Sequence, residues 1–145
     1  MGITVIDQGP ELYWFVSGAL REIQEAGSLH LKHIQSVLVA EEHILQELPS
    51  IVIINGDDKS LLPEQLIARI RNHVFARNTL FIVFTADTSV EFKKSLLIAG
   101  AGQILYRGRG FSPSPKFFAN LIKWFLTNKN PVNHQRVLFQ KVYLS

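Results

Sequence analysis

Ser50-Ile51-Val52-Ile53-Ile54-Asn55-Gly56-Asp57-Asp58 is the stretch on which the reading of this chain turns. Ile51 to Ile54 is an unbroken β-branched run held between Pro49 and Gly56. A short apolar run stopped by turn residues predicts a strand covered on both faces, the kind found inside a parallel sheet. Asn55 ends the run and is its first polar residue, so its side chain belongs to the carboxyl edge of the sheet.

Similar runs lie on either side. Ile3-Thr4-Val5-Ile6 stops at Asp7-Gln8-Gly9-Pro10, and Leu80-Phe81-Ile82-Val83-Phe84 stops at Thr85-Ala86-Asp87. Ile104-Leu105-Tyr106 is a further strand, and a strand is expected near residues 30–37. Between them the apolar period becomes helical. Leu12, Phe15, Val16, Ala19, Leu20 and Ile23 predict a helix from Glu11 to Ala26, with Gly27 at its end. Glu41 to Leu48 reads as a short helix closed by Pro49. Pro63 to Phe75 carries Leu66, Ile67, Ile70 and Val74 on its apolar stripe. Ser89 to Ala99 places Val90, Leu97 and Ile98 inward, and Pro115 to Leu126 does the same with Phe117, Phe118, Leu121, Ile122 and Phe125.

Strand and helix alternate five times. Such alternation predicts an α/β fold with helices on both faces of a parallel sheet. Right-handed crossovers make it a doubly wound, flavodoxin-like five-stranded sheet in the order 2-1-3-4-5. Residues 1–127 fit one such domain. Residues 128–145 lie outside the pattern as an extension, a linker or an extra strand or docking arm, with Val137, Phe139 and Tyr143 as its apolar residues. In this fold the functional edge lies past the carboxyl ends of the strands. Asp7, Gln8, Asn55, Gly56, Thr85, Ala86 and Arg107 gather there.

Composition narrows the class. The chain has 145 residues, 47% hydrophobic and 19% charged, which marks a globular domain. No apolar run approaches the ~20 residues of a membrane span, and the N-terminus has no signal-peptide pattern. There is no cysteine, which excludes thiol chemistry and agrees with a cytoplasmic location. The net charge of +3 is unevenly spread: residues 1–73 hold ten acids and five bases, residues 74–145 two acids and ten bases. That asymmetry marks either a partner surface or the ordinary distribution of solvated faces.

At the strand ends the chain resembles the receiver (CheY-like) domain of bacterial response regulators over roughly residues 1–127. In that family two acids follow the first strand and hold magnesium. An aspartate ends the third strand and accepts a phosphoryl group; a Thr or Ser ends the fourth, and Lys-Pro follows the fifth. Here Asp7 and Gln8 stand at the acidic pair, Asn55 at the acceptor, Thr85 at the hydroxyl and Arg107-Gly108 at the Lys-Pro. Ile104 falls where many receivers place a switching aromatic. An amide offers no carboxylate oxygen to attack phosphorus, and Asp7 alone is a poor magnesium site, since that ion wants several anionic oxygens. The resemblance therefore implies a pseudo-receiver with no metal or other cofactor and no enzymatic activity.

It further implies a regulatory protein–protein interaction module, dimeric through the fourth helix, fifth strand and fifth helix, and possessing the character of the N-terminal part of a transcription regulator. On that surface stand Lys93, Lys94, Ile104, Tyr106, Arg109, Lys116, Lys123 and Trp124. The alternative is a nucleotide binder, a cyclic dinucleotide above all, or a nucleic-acid binder working through the basic second half. Arg107-Gly108-Arg109-Gly110-Phe111 would clamp the anion in that case, and an attached output domain is a second route to DNA. Against a clamp stands the simpler expectation that Arg107 pairs with Asp7 across the pocket. Asp57 and Asp58 are expected in a solvated turn, pointing away from Thr85. His30, His33, His43, His73 and His134 show no metal-ligand spacing, and no nucleophile–base pair is visible.

Overall fold

The computed structural model describes residues 2–23, 28–108 and 113–127. Five strands, β1 (Gly2–Ile6), β2 (His30–Ile34), β3 (Ile51–Asn55), β4 (Leu80–Thr85) and β5 (Gln103–Tyr106), form one sheet in the order β2-β1-β3-β4-β5. Every pairing in it is parallel. The helices are α1 (Glu11–Leu20), α2 (Val37–Glu47), α3 (Pro63–Arg71), α4 (Val90–Ala99) and α5 (Pro115–Thr127). This is the doubly wound order expected from the sequence.

The period of two along each strand divides the interior into two cores. Ile51 and Ile53 of β3 and Ile82 and Phe84 of β4 face α1 and α5, where they meet Val16, Phe118 and Ile122. Val52 and Ile54 with Phe81 and Val83 face α2, α3 and α4, where they meet Ile44, Ile67 and Leu96. The strands of the sheet centre are thus apolar on both faces, which is why they read as continuous runs. Burying each such side chain is worth about 1.5–3 kcal/mol.

Several local expectations are corrected. α2 begins at Val37, four residues before Glu41, because the Ser36 side chain caps it by accepting from the Leu38 N–H. α3 ends at Arg71 and a 3-10 turn follows at Val74–Ala76, so Val74 is exposed rather than part of the apolar stripe. On α4 the fully buried residue is Leu96, with Leu97 partly buried against the same core as expected, but Val90 and Ile98 are 60% and 86% exposed. Phe117 is also largely turned out of the α5 core. Ala26 and Gly27, expected at the end of the first helix, and the extension 128–145 lie outside the described residues.

One arginine joins the two helices at the far edge of the sheet. Arg71, the last residue of α3, donates from Nε (3.3 Å) and Nη2 (3.1 Å) to the carbonyl oxygen of Gly100, just past α4. Its Nη1 donates to the Arg77 carbonyl at 3.0 Å, and the guanidinium lies over the Phe81 ring, 4.9 Å from its centre. Burial lowers its pKa. Gly100 has φ +117°, and a side chain there would meet Arg71 at 2.9 Å. Both the backbone angle and the arginine call for glycine at this position.

Candidate functional site

The carboxyl ends of β1, β3, β4 and β5 converge on one polar network. Asp7 directly follows β1 and is 3% exposed. Its Oδ2 accepts from the Leu12 N–H (3.3 Å), in the first turn of α1 where backbone donors are unpaired, and its Oδ1 from the Gly9 N–H (3.4 Å) in the loop before it. Oδ1 also accepts from Asn55 Nδ2 at 2.8 Å. Both oxygens of Asp7 are therefore occupied by N–H groups.

Asn55 uses its other end as well. Its Oδ1 accepts from Arg107 Nη2 at 2.7 Å and from the Asp57 N–H at 3.0 Å. The amide suits this place because one end donates to a carboxylate while the other accepts from a guanidinium. An aspartate would oppose Asp7 with a second negative charge.

Asp57 is the centre of the second half of the site. Thr85 Oγ1 donates to Asp57 Oδ1 at 2.7 Å. The Ala86 N–H is shared between Oδ1 (2.9 Å) and Oδ2 (3.0 Å), and Arg107 Nε donates to Oδ2 at 3.2 Å. Gly56 makes this approach possible. Its N–H donates to the Phe84 carbonyl at 2.6 Å, and a Cβ at this position would sit 2.6 Å from Val83 Cγ1 and 3.0 Å from the Phe84 oxygen. Only a residue without a side chain lets the turn lie this close against β4.

This geometry corrects two expectations. Asp57 points toward Thr85, not away from it. Arg107 pairs with Asp57 and Asn55 instead of Asp7, whose oxygens are already taken by amides. Gln8 donates to Ser60 Oγ at 2.8 Å and ties the loop after β1 to the turn after β3, a role its place beside Asp7 did not suggest. Asp58 accepts from Ser60 N–H (3.1 Å) and Oγ (2.6 Å), starting a 3-10 turn at Lys59–Leu61. Asp7, Gln8, Asn55, Thr85 and Arg107 are thus brought together, with Asp57 added.

The donor set does not fit a divalent cation. Among the described residues no group of three His, Cys, Asp or Glu side chains is arranged around a common point. The oxygens of Asp7 and Asn55 face N–H donors, the reverse of what a cation needs.

No family model matches the chain, and no curated protein does. Solved structures do. The signal receiver domain of a DNA-binding response regulator from Colwellia psychrerythraea 34H matches with TM-score 0.74 at 13% identity, covering 88% of this chain and 99% of that one. The chemotaxis response regulator CheY4 of Vibrio cholerae matches with TM-score 0.70 at 14% identity over 86% and 97%. The orphan response regulator HP1043 of H. pylori matches with TM-score 0.68 at 13% identity over 87% and 96%.

The chain has the receiver fold.

Within that receiver fold, the expected interaction surface divides. Lys94, Lys116 and Lys123 are exposed, and Lys93, Tyr106 and Trp124 are partly buried. Ile104 is corrected: it is 2% exposed and packs in the core between the sheet and α2, α3 and α4. Ile104 and Leu105 point to opposite cores of the sheet and both are buried, so Ile104 is not a surface contact. Arg109 lies outside the described residues. Among the described residues, no helix is long and apolar enough to cross a membrane.

Proposed function

We propose that this chain is a regulatory protein–protein interaction module on a receiver scaffold, working without phosphorylation. The observation that carries the reading is Asn55. It ends β3, and both ends of its amide are engaged, with Asp7 on one side and Arg107 on the other. An amide is not a phosphoryl acceptor, and the surrounding donors leave no place for the metal that phosphotransfer requires.

The function then lies in contacts made elsewhere. α4 supports this, since Val90 and Ile98 are exposed apolar residues on the same helix as exposed Lys94. A surface mixing apolar and basic residues suits a protein partner or a second copy of this chain. Signal output through a further domain, including one that regulates transcription, is consistent with this role. Nucleotide or nucleic-acid binding is less well supported, because Arg107 is turned into the site.

The test combines mass and assembly. The protein is incubated with acetyl phosphate and magnesium, then examined by intact-mass spectrometry and by sedimentation over a range of concentrations. We expect no added mass and no change in assembly, while Ile98→Asp weakens self-association or partner capture. A phosphoaspartate at Asp57 or Asp7 would overturn the proposal.

A further inference from the structure

The groups around Asp57 share one chemical character. Thr85 presents a hydroxyl, Ala86 a backbone N–H and Arg107 a guanidinium N–H, and all three donate to the Asp57 carboxylate. Hydroxyl, amide and guanidinium together are a general recognition set for an oxyanion. None of them belongs to the turn that carries Asp57. They come from the end of β4 and from the residue after β5, so the cradle is built by the sheet and is complete without its occupant.

The cradle is also set in advance. Thr85 is fully buried, and its Oγ1 accepts from the Asp87 N–H at 3.0 Å. That bond leaves the hydroxyl hydrogen to be given to Asp57. Arg107 is fixed from the other side by Asn55. Asp57 is fixed in turn by its own N–H on Asn55 and by the Gly56 N–H on Phe84.

We infer that Asp57 is a built-in ligand: its carboxylate occupies an oxyanion cradle formed by Thr85, Ala86 and Arg107, latches the turn after β3 to the ends of β4 and β5, and keeps free oxyanions out. The inference rests on the reading that Asn55 carries no phosphoryl group. A tethered group acts at an effective concentration in the millimolar range or above, so a free anion competes poorly with it. Removal of the carboxylate leaves three converging donors without an acceptor. The chemical class that fills the place is a small tetrahedral oxyanion, for which inorganic phosphate is the probe.

The experiment follows the Ala86 amide by NMR while inorganic phosphate is added to the wild type, to Asp57→Ala and to Asp57→Ala/Arg107→Ala. The wild-type resonance should stay in place at millimolar phosphate. The Asp57→Ala resonance should move saturably, with a midpoint at least about tenfold below any wild-type response, and the double variant should lose most of that response. An unmoved Asp57→Ala resonance, or equal midpoints in wild type and variant, overturns the latch. Hydrogen exchange in the wild type gives a second measurement that needs no variant. Ala86 is an exposed residue, so its amide is protected only through Asp57; exchange at the unprotected rate also overturns the latch. Covalent mass gain with acetyl phosphate bears on the proposed function instead, so the two failures are distinguishable.

Discussion

One guanidinium serves two partners: Arg107 donates from Nε to Asp57 Oδ2 at 3.2 Å and from Nη2 to Asn55 Oδ1 at 2.7 Å. The planar fork makes both bonds from one side chain, which a lysine ammonium on a flexible stem does not reproduce. Both partners of the ion pair are about one-third exposed, at 31% and 33%, so solvent screens the attraction. A double-mutant cycle on Arg107→Ala and Asp57→Ala, read by urea unfolding, should give a coupling of about 0.5–1 kcal/mol that shrinks in high salt. Arg107→Lys should behave more like Arg107→Ala than like wild type.

Asn55→Asp should lower stability at neutral pH by about 1–3 kcal/mol. It replaces the N–H that Asp7 accepts with a second carboxylate oxygen at a separation now 2.8 Å. Magnesium should restore part of the loss, because two adjacent carboxylates then offer the anionic oxygens that the wild type lacks. Thermal unfolding of the variant with and without magnesium checks both parts. A variant as stable as wild type in the absence of the cation would contradict the account of the Asp7–Asn55 contact.

Gly56→Ala should cost about 1–3 kcal/mol by overpacking against Val83 and the Phe84 carbonyl. Its mark beyond stability is local. The turn must move off β4, so the Ala86 amide should lose its protection in hydrogen exchange while amides in the centre of β3 keep theirs.

His43 predicts a pH dependence. Burial first, then the nearby Lys32, lowers its pKa from the ordinary 6.5, with Glu47 opposing. A histidine whose folded pKa is depressed is protonated first in the unfolded chain. Its contribution is therefore intact above about pH 6.5 and is lost as pH falls toward the folded value. Unfolding midpoints between about pH 7.5 and about pH 5.5, either side of the ordinary histidine value, should fall less for His43→Gln than for wild type. Equal falls would remove His43 as the cause.

Most of the fold was legible because its strands are buried on both faces and its helices carry a clear apolar period. Ile51 to Ile54 announces a central strand without help from tertiary structure. α4 was harder: Val90 and Ile98 match a helical stripe, yet only part of that stripe meets the core, and period alone does not tell a core face from a partner face. The site was half legible. Strand ends identified Asp7, Asn55, Thr85 and Arg107 as neighbours. Asp57 was missed because its position depends on a turn conformation, set by Gly56 against β4, that residue spacing does not encode. A charge argument was available. Arg107 beside a neutral amide needs a carboxylate, and the Asp7 oxygens are taken by the Gly9 and Leu12 N–H groups and by Asn55, which leaves the turn after Asn55 as the nearest source.

The two ends of α4 differ in how they are held. At Gly100 two nitrogens of Arg71 grip a single carbonyl oxygen, while at the other end Ser89 merely caps the helix by accepting from the Phe92 N–H. The far end of the helix is therefore the more firmly held, and the end beside Thr85 rests on the Ser89 cap and on Phe92 against the core. A change in how Asp57 sits on β4 would reach α4 as a tilt about Gly100, not as a slide along its axis. The displacement grows with distance from the fulcrum, so Val90 would sweep the widest arc and Ile98 would hardly move. Of the two exposed apolar residues on that helix, Val90 would then be the moving contact and Ile98 the fixed one.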